Sequence, residues 1–162
     1  MAIYRISRNL EASIIDFLKD GLESFWQNIN IEKSFAKVYE LSLPTICVKA
    51  EDTLYDKIQI GDNSFEREVT VIIDLFCNSD GQRLDLKDTL IEILKEGCPY
   101  YEYETKKQGR TTIIENKTQN GRIRILKIID TPVNFDTEKD KLDEHDKFRH
   151  RLTINITTGK VE

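Results

Sequence analysis

His145 and His150 are the only histidines in the chain, and Asp143, Glu144 and Asp146 lie beside them. A metal site would need imidazole with carboxylate or thiolate ligands at a workable spacing. This spacing matches no zinc motif, so the expectation is a solvated loop with His150 at a strand edge. The three cysteines, Cys47, Cys77 and Cys98, are odd in number, far apart and lack a C-x-x-C pair. That is not a disulfide framework. Cys47 and Cys77 sit in apolar strand patterns and read as small buried hydrophobes of a reducing compartment. Gly61, Gly81 and Gly97 are isolated, so no phosphate cradle is formed, and no G-x-S-x-G elbow occurs.

Asp74 lies mid-strand between hydrophobic residues. A carboxylate buried there must be paired. Its available partners are Arg122, Arg124, Arg149 and Arg151, within one subunit or between two. Lys106, Lys107 and Arg110 form a small basic loop near Tyr100, Tyr101 and Tyr103. Stacking plus charge is how single-stranded nucleic acid is held. Here the positive charge is local and the chain carries a net charge of −5, so a solvated hairpin or a protein contact is the reading. No catalytic, cofactor-binding or metal-ligating set is expected, and the chain reads as a non-enzyme.

The elements that place these residues follow from hydrophobic period. Over Ser7 to Asn28, Leu10, Ile14, Phe17, Leu18, Leu22 and Phe25 share one helical arc. Gly21 within it would let the helix approach a sheet, and Trp26 is placed at the core rim. Strands are predicted at Ser34–Leu41, Thr45–Ala50 after Leu43-Pro44, and Asp56–Ile60 before a Gly61-Asp62-Asn63 turn. From Phe65 to Cys77, Val69, Val71, Ile73, Leu75 and Cys77 share one face, with Ile72 and Phe76 flanking Asp74 on the other. A strand apolar on both faces is covered on both. Ser79 or Asp80 is a candidate N-cap for a helix Leu84–Glu96 that stops at Gly97 and Pro99. Cys98–Glu104 is a further strand. Thr111–Glu115 and Gly121–Ile129 are predicted as a hairpin turning at Asn120-Gly121. A charged, mobile loop spans about 134–147, and Phe148–Thr157 closes the chain as a strand.

At 162 residues, with 39% hydrophobic and 33% charged residues, the chain is long enough for one self-sufficient core. No apolar run approaches the roughly 20 residues a membrane span needs. The N-terminus lacks a signal-peptide pattern, and the expected location is where the chain is made. The fold class is α+β: a mostly antiparallel β-sheet with two amphipathic helices packed on it, plus a β-hairpin extension, in a single domain.

This order of elements resembles the tail terminator, or tail completion, proteins of long-tailed siphophages, similar to the lambda minor tail protein U. The resemblance runs from about Leu10 to Ile156. It rests on the N-terminal helix, Leu43-Pro44-Thr45-Ile46-Cys47-Val48, Ile58-Gln59-Ile60-Gly61, the long strand Glu66 to Phe76 and the helix after it. The enlarged hairpin, Tyr103 to Ile129, and the charged loop depart from the family pattern.

The resemblance implies a homo-oligomer, a hexameric ring on the head-proximal end of the tail tube, assembled in the host cytoplasm and carried in the virion. It implies as partners the tail tube protein and a head-completion or neck protein, with DNA passing through the lumen without specific binding. Ring contacts are expected from Asp74, Arg149 and Arg151 on the solvent side of the sheet, against a neighbour's charged helix face carrying Asp88 and Glu92. Charge reversal at Asp74 is then expected to spoil the ring and spare the fold. Tyr101, Tyr103, Lys106, Lys107, Arg110, Glu138 and Lys139 are the candidates for touching tube or neck. A head-closure or other neck adaptor is the neighbouring reading. A small phage enzyme and a host-directed binding module are the readings from other classes.

Overall fold

The computed structural model describes residues 5–26, 28–33, 35–57, 60–61, 65–133 and 142–159. Within these, Ile6–Glu23 forms α1, Asn30–Glu32 β1, Phe35–Val38 α2, Thr45–Asp56 β2, Glu66–Cys77 β3, Asp80–Leu94 α3, Cys98–Gln108 β4, Thr111–Pro132 β5 and Phe148–Gly159 β6. The strands make one six-stranded sheet in the order β1-β2-β3-β6-β5-β4. β1 runs parallel to β2 and every other pairing is antiparallel. The α+β reading with a mostly antiparallel sheet stands at that level.

The core follows the sequence periods. Leu10, Ile14, Leu18 and Leu22 of α1 and Leu86, Leu90 and Leu94 of α3 are buried against Val69, Val71, Ile73, Leu75 and Cys77 of β3 and Leu152, Ile154 and Ile156 of β6. Each such aliphatic side chain contributes about 1.5–3 kcal/mol by leaving water. α1 stops at Glu23, and Phe25 lies outside the core at 71% exposure, whereas Trp26 packs at the core rim. A methyl on Gly21 would sit 3.0 Å from Ile93, so the close approach is to α3 and not, as predicted, to the sheet. α3 is capped by Ser79, one of its two N-cap candidates, and runs from Asp80. Ser79 accepts from the Gln82 amide, and the Gln82 side chain accepts from the Asn78 amide, which satisfies two otherwise orphan N–H groups.

Two expectations are corrected. Of the predicted strand Ser34–Leu41, the described residues from Phe35 on form no strand, because Phe35–Val38 is a helical turn whose Val38 joins Cys47 and Phe76 in a second cluster on the far face of the sheet. Asn120-Gly121 is not a hairpin turn. The turn is at Gly109-Arg110, where Gln108 faces Thr111 and Gly109 takes a φ of 65°. β5 runs straight through Gly121, whose φ is 86°, and just past it Arg122 and Ile123 pair with both β4 and β6 before the strand continues along β6 alone. The predicted strand Asp56–Ile60 and its turn overlap residues 58–59 and 62–64, and the predicted mobile loop overlaps 134–141. Those parts lie outside the described residues.

Candidate functional site

α1 links the two sides of the sheet. Its Glu11 carboxylate accepts from the Ala50 amide of β2 at 3.0 Å. Its Ser13 hydroxyl accepts from the Tyr101 amide of β4 at 2.9 Å and donates to the Asn9 carbonyl. β4 is the last strand of the sheet, and β2 carries beyond it only the three residues of β1. The helix therefore satisfies main-chain groups that would invite another chain to add a strand. On its outer side a cleft of about 560 Å³ opens between α1, β1 and the β4–β5 hairpin. Ala12, Ile15 and Ile31 give it an apolar floor, and charges of both signs line it, Arg5, Arg8, Lys19 and Lys33 with Glu11, Asp16 and Glu32.

The far face of the sheet is organised by Asp74. Its side chain is fully buried. Arg149 donates to Oδ2, and Arg151 donates through Nε to Oδ1 at 2.7 Å and through Nη2 to Oδ2 at 3.0 Å. Register explains this, since Asp74 faces Arg151 across the β3–β6 pair and Phe76 faces Arg149. The Arg149 guanidinium lies over Phe76, 4.6 Å from the ring centre, and reaches Asp146 at 3.4 Å. Asp146 in turn accepts from Tyr39 at 2.9 Å. Asp74 is thus an anchor inside the chain's own fold. It has no surface to offer a neighbour, which corrects its expected place among ring contacts. Arg151, 38% exposed at its side chain, keeps an outward face.

Both histidines are buried, His145 where a solvated loop was expected and His150 within β6. His145 has its Nδ1 2.7 Å from Asp143 and its Nε2 2.9 Å from the Leu41 carbonyl. Both partners only accept, so both ring nitrogens carry hydrogen and the imidazole is charged. Burial opposes that charge, but the bonds to Leu41 and Asp143 outweigh it and raise the pKa. His150 is the converse. Arg83 donates to its Nδ1 at 2.8 Å, and its Nε2 lies 3.3 Å from Asp130. That fixes a neutral ring, and burial, helped by Arg83, lowers its pKa. Asp143-x-His145 is the sequence signal for the first arrangement. The second brings together α3, β5 and β6, and no local spacing announces it.

The predicted tube or neck contacts separate into two groups. Tyr103 is buried and donates to Asp16 at 2.6 Å, which fastens β4 to α1. Tyr101 is partly covered, with the Lys117 ammonium 4.7 Å from its ring centre. Lys106, Lys107 and Arg110 are exposed on the hairpin arm, and Lys106 pairs with Glu115 at 3.8 Å. Along the facing strand every residue from Thr111 to Gln119 is exposed, including Ile113 and Ile114. Asp88 and Glu92 lie on the exposed side of α3, paired with Lys87 and Lys95. Glu138 and Lys139 lie outside the described residues.

Cys47, Cys77 and Cys98 are free and buried, and burial pushes each thiol up to about 12. Among the described residues no three His, Cys, Asp or Glu side chains gather as a metal site would require. No helix of the described residues is long and apolar enough to cross a membrane. In comparisons with known proteins, neither a family model nor a curated relative matches the chain.

Proposed function

We propose that this protein is a structural subunit of a ring that caps the tail tube of a long-tailed siphophage, stops tube polymerisation and presents a docking surface to head-completion or neck proteins. The motif order supports the tail reading. The observation that carries the assembly reading is the β4–β5 arm, whose strand Thr111–Gln119 is exposed throughout. A two-stranded ribbon is marginal in water without something packed on it. Beyond Tyr103, where β4 leaves α1, the arm of Glu104–Gln108 and Thr111–Asn116 bears Ile113 and Ile114 at 40% and 59% exposure and is suited to being covered by another molecule.

Electron microscopy of particles made without this protein tests the reading. Overlong tails are the expected result. Normal tails that fail to join heads would replace the terminator with a neck adaptor, and normal infectious particles would overturn both.

A further inference from the structure

We propose that the free edge of β5 in the arm, Thr111–Gln119, pairs with the same edge of a second copy, the two strands running antiparallel about a two-fold axis between Glu115 and Asn116. This rests on the reading of the arm as a covered surface and names what covers it.

The hydrogen-bonding phase of the arm follows from two fixed points. The Tyr101 amide points away from β5 to reach the Ser13 hydroxyl of α1, and the Tyr101 carbonyl faces the same hydroxyl. In an antiparallel pair, opposed residues either exchange both main-chain bonds or turn both groups outward. Tyr101 and its partner Gln119 therefore turn theirs outward. At the tip, Gln108 and Thr111 flank a two-residue turn and bond inward. Alternation along β4 joins these two points without conflict, so Tyr103, Thr105 and Lys107 also face outward. Their partners on β5 are Lys117, Ile114 and Thr112. The register shift between Glu104 and Thr105 leaves Glu115 as an extra residue on β5, a bulge in the middle of the edge. β6 pairs with β5 only from Arg122 on, so among the described residues this edge has no partner strand.

The outward residues Thr112, Ile114, Lys117 and Gln119 map onto themselves when the edge is reversed. Antiparallel to its own copy, Thr112 faces Gln119 and Ile114 faces Lys117, each twice. Because the bulge breaks the phase, no other antiparallel register brings all of them face to face. An edge with such a break suits few strands, and its own copy is one of them. The contact offers about eight main-chain hydrogen bonds. It opposes no like charges, since Glu115 faces Asn116 and Lys117 faces Ile114, whose exposed side chain gains the aliphatic stem of the lysine.

The outer edge of β4 is not equivalent. Ser13 occupies Tyr101, Asp16 holds Tyr103, and Arg5 donates to Thr105 at 2.6 Å. Lys106 and Lys107 guard the rest, as lysines do on protected edges. Along β5, Thr111, Thr112, Ile113 and Ile114 are all β-branched, and no proline interrupts them. A patch that meets itself is two-fold and joins copies in pairs, so a second, different contact is needed before pairs close into a ring.

Sedimentation of the full-length protein over a concentration series should show association that begins with a dimer. Lys117→Pro removes an outward N–H and spares the β4 ladder, and circular dichroism checks that it folds. It should weaken pairing about tenfold or more. Independently, an Ile113→Cys copy mixed with a Thr118→Cys copy should form an intermolecular disulfide that neither forms alone, because these positions face each other in this register and the native cysteines are buried. A wild-type protein that stays monomeric, or a dimer that gives no mixed disulfide, would overturn the contact. A complex with the tail tube protein that forms in place of the dimer and is lost in Lys117→Pro would assign the edge to that protein and overturn it as well. None of these results alters tail length in particles made without the protein, which tests the ring reading separately.

Discussion

His145 donates from Nε2 to the main-chain carbonyl of Leu41, a residue 104 positions earlier, and so ties the turn at 142–147 to the segment between α2 and β2. The bond requires a hydrogen on that nitrogen, while Asp143 requires one on the other. The tie is therefore a property of the charged ring. His145 has its pKa raised on folding, so its stabilisation is complete below the unfolded value of about 6.5 and is lost as pH rises through the folded value. His150 has its pKa lowered, so its contribution is present above about 6.5 and is lost as pH falls through the folded value. Urea midpoints at pH 5.5 and 8 should respond in opposite senses. His145→Gln should cost more at the lower pH, and His150→Gln more at the higher. Equal losses at both pH values for either variant would contradict these assigned charge states.

Removing Asp74 should destabilise the fold itself rather than disturb only an assembly. Asp74→Ala leaves Arg149, itself mostly covered, without its buried partner. Breaking such a pair costs about 3–5 kcal/mol. Chemical denaturation of the dilute protein should show that loss. A variant of wild-type stability that merely assembles poorly would restore Asp74 to the interface.

Gly97 and Gly109 both have positive φ and should respond unequally to alanine. At Gly109 nothing lies near an added methyl, so the cost is the left-handed backbone alone, about 1–2 kcal/mol. At Gly97 the methyl would run into the Ile123 carbonyl oxygen, and β4 must shift from β5 to admit it. Gly97→Ala should be clearly the more destabilising in a denaturant titration, and equal midpoints would refute the packing account.

The three thiols should resist alkylation at pH 8 in the folded protein. Each is fully buried and held near 12, so the reactive thiolate is scarce as well as covered. Mass spectrometry should show three modifications arriving together on unfolding. Rapid labelling of one in native buffer would expose a local opening.

What the sequence revealed was periodic. The stripe Leu10-Ile14-Leu18-Leu22 and the alternation Val69-Val71-Ile73-Leu75-Cys77 need only local spacing, and both are buried as predicted, although Phe25 of the same helical arc is not. The same alternation flagged Asp74 as a buried carboxylate, with Arg149 and Arg151 among its partners. Its confinement to one subunit was hidden, because that depends on Phe35, Phe76 and the 142–147 turn covering the far face. Asn120-Gly121 misled for a similar reason. The pair has the right chemistry for a turn, but β5 is a 22-residue strand that changes partners there. Strands usually run 3–10 residues, so a turn was the reasonable local inference. The cleft was illegible, since α1, β1 and the arm come together only through the tertiary fold.

That change of partners at Gly121 also sets the mechanics of the arm. The ribbon is not tethered to the domain by a loop, because β5 continues without interruption into the ladder it shares with β6. A load applied near Arg110 passes along one covalent strand to the ladder it shares with β6. Swinging the arm means bending a continuous ribbon at a single glycine, with no flexible joint to absorb the motion. Whatever grips the tip is therefore held at a fixed reach from the core, as by a ruler and not by a leash.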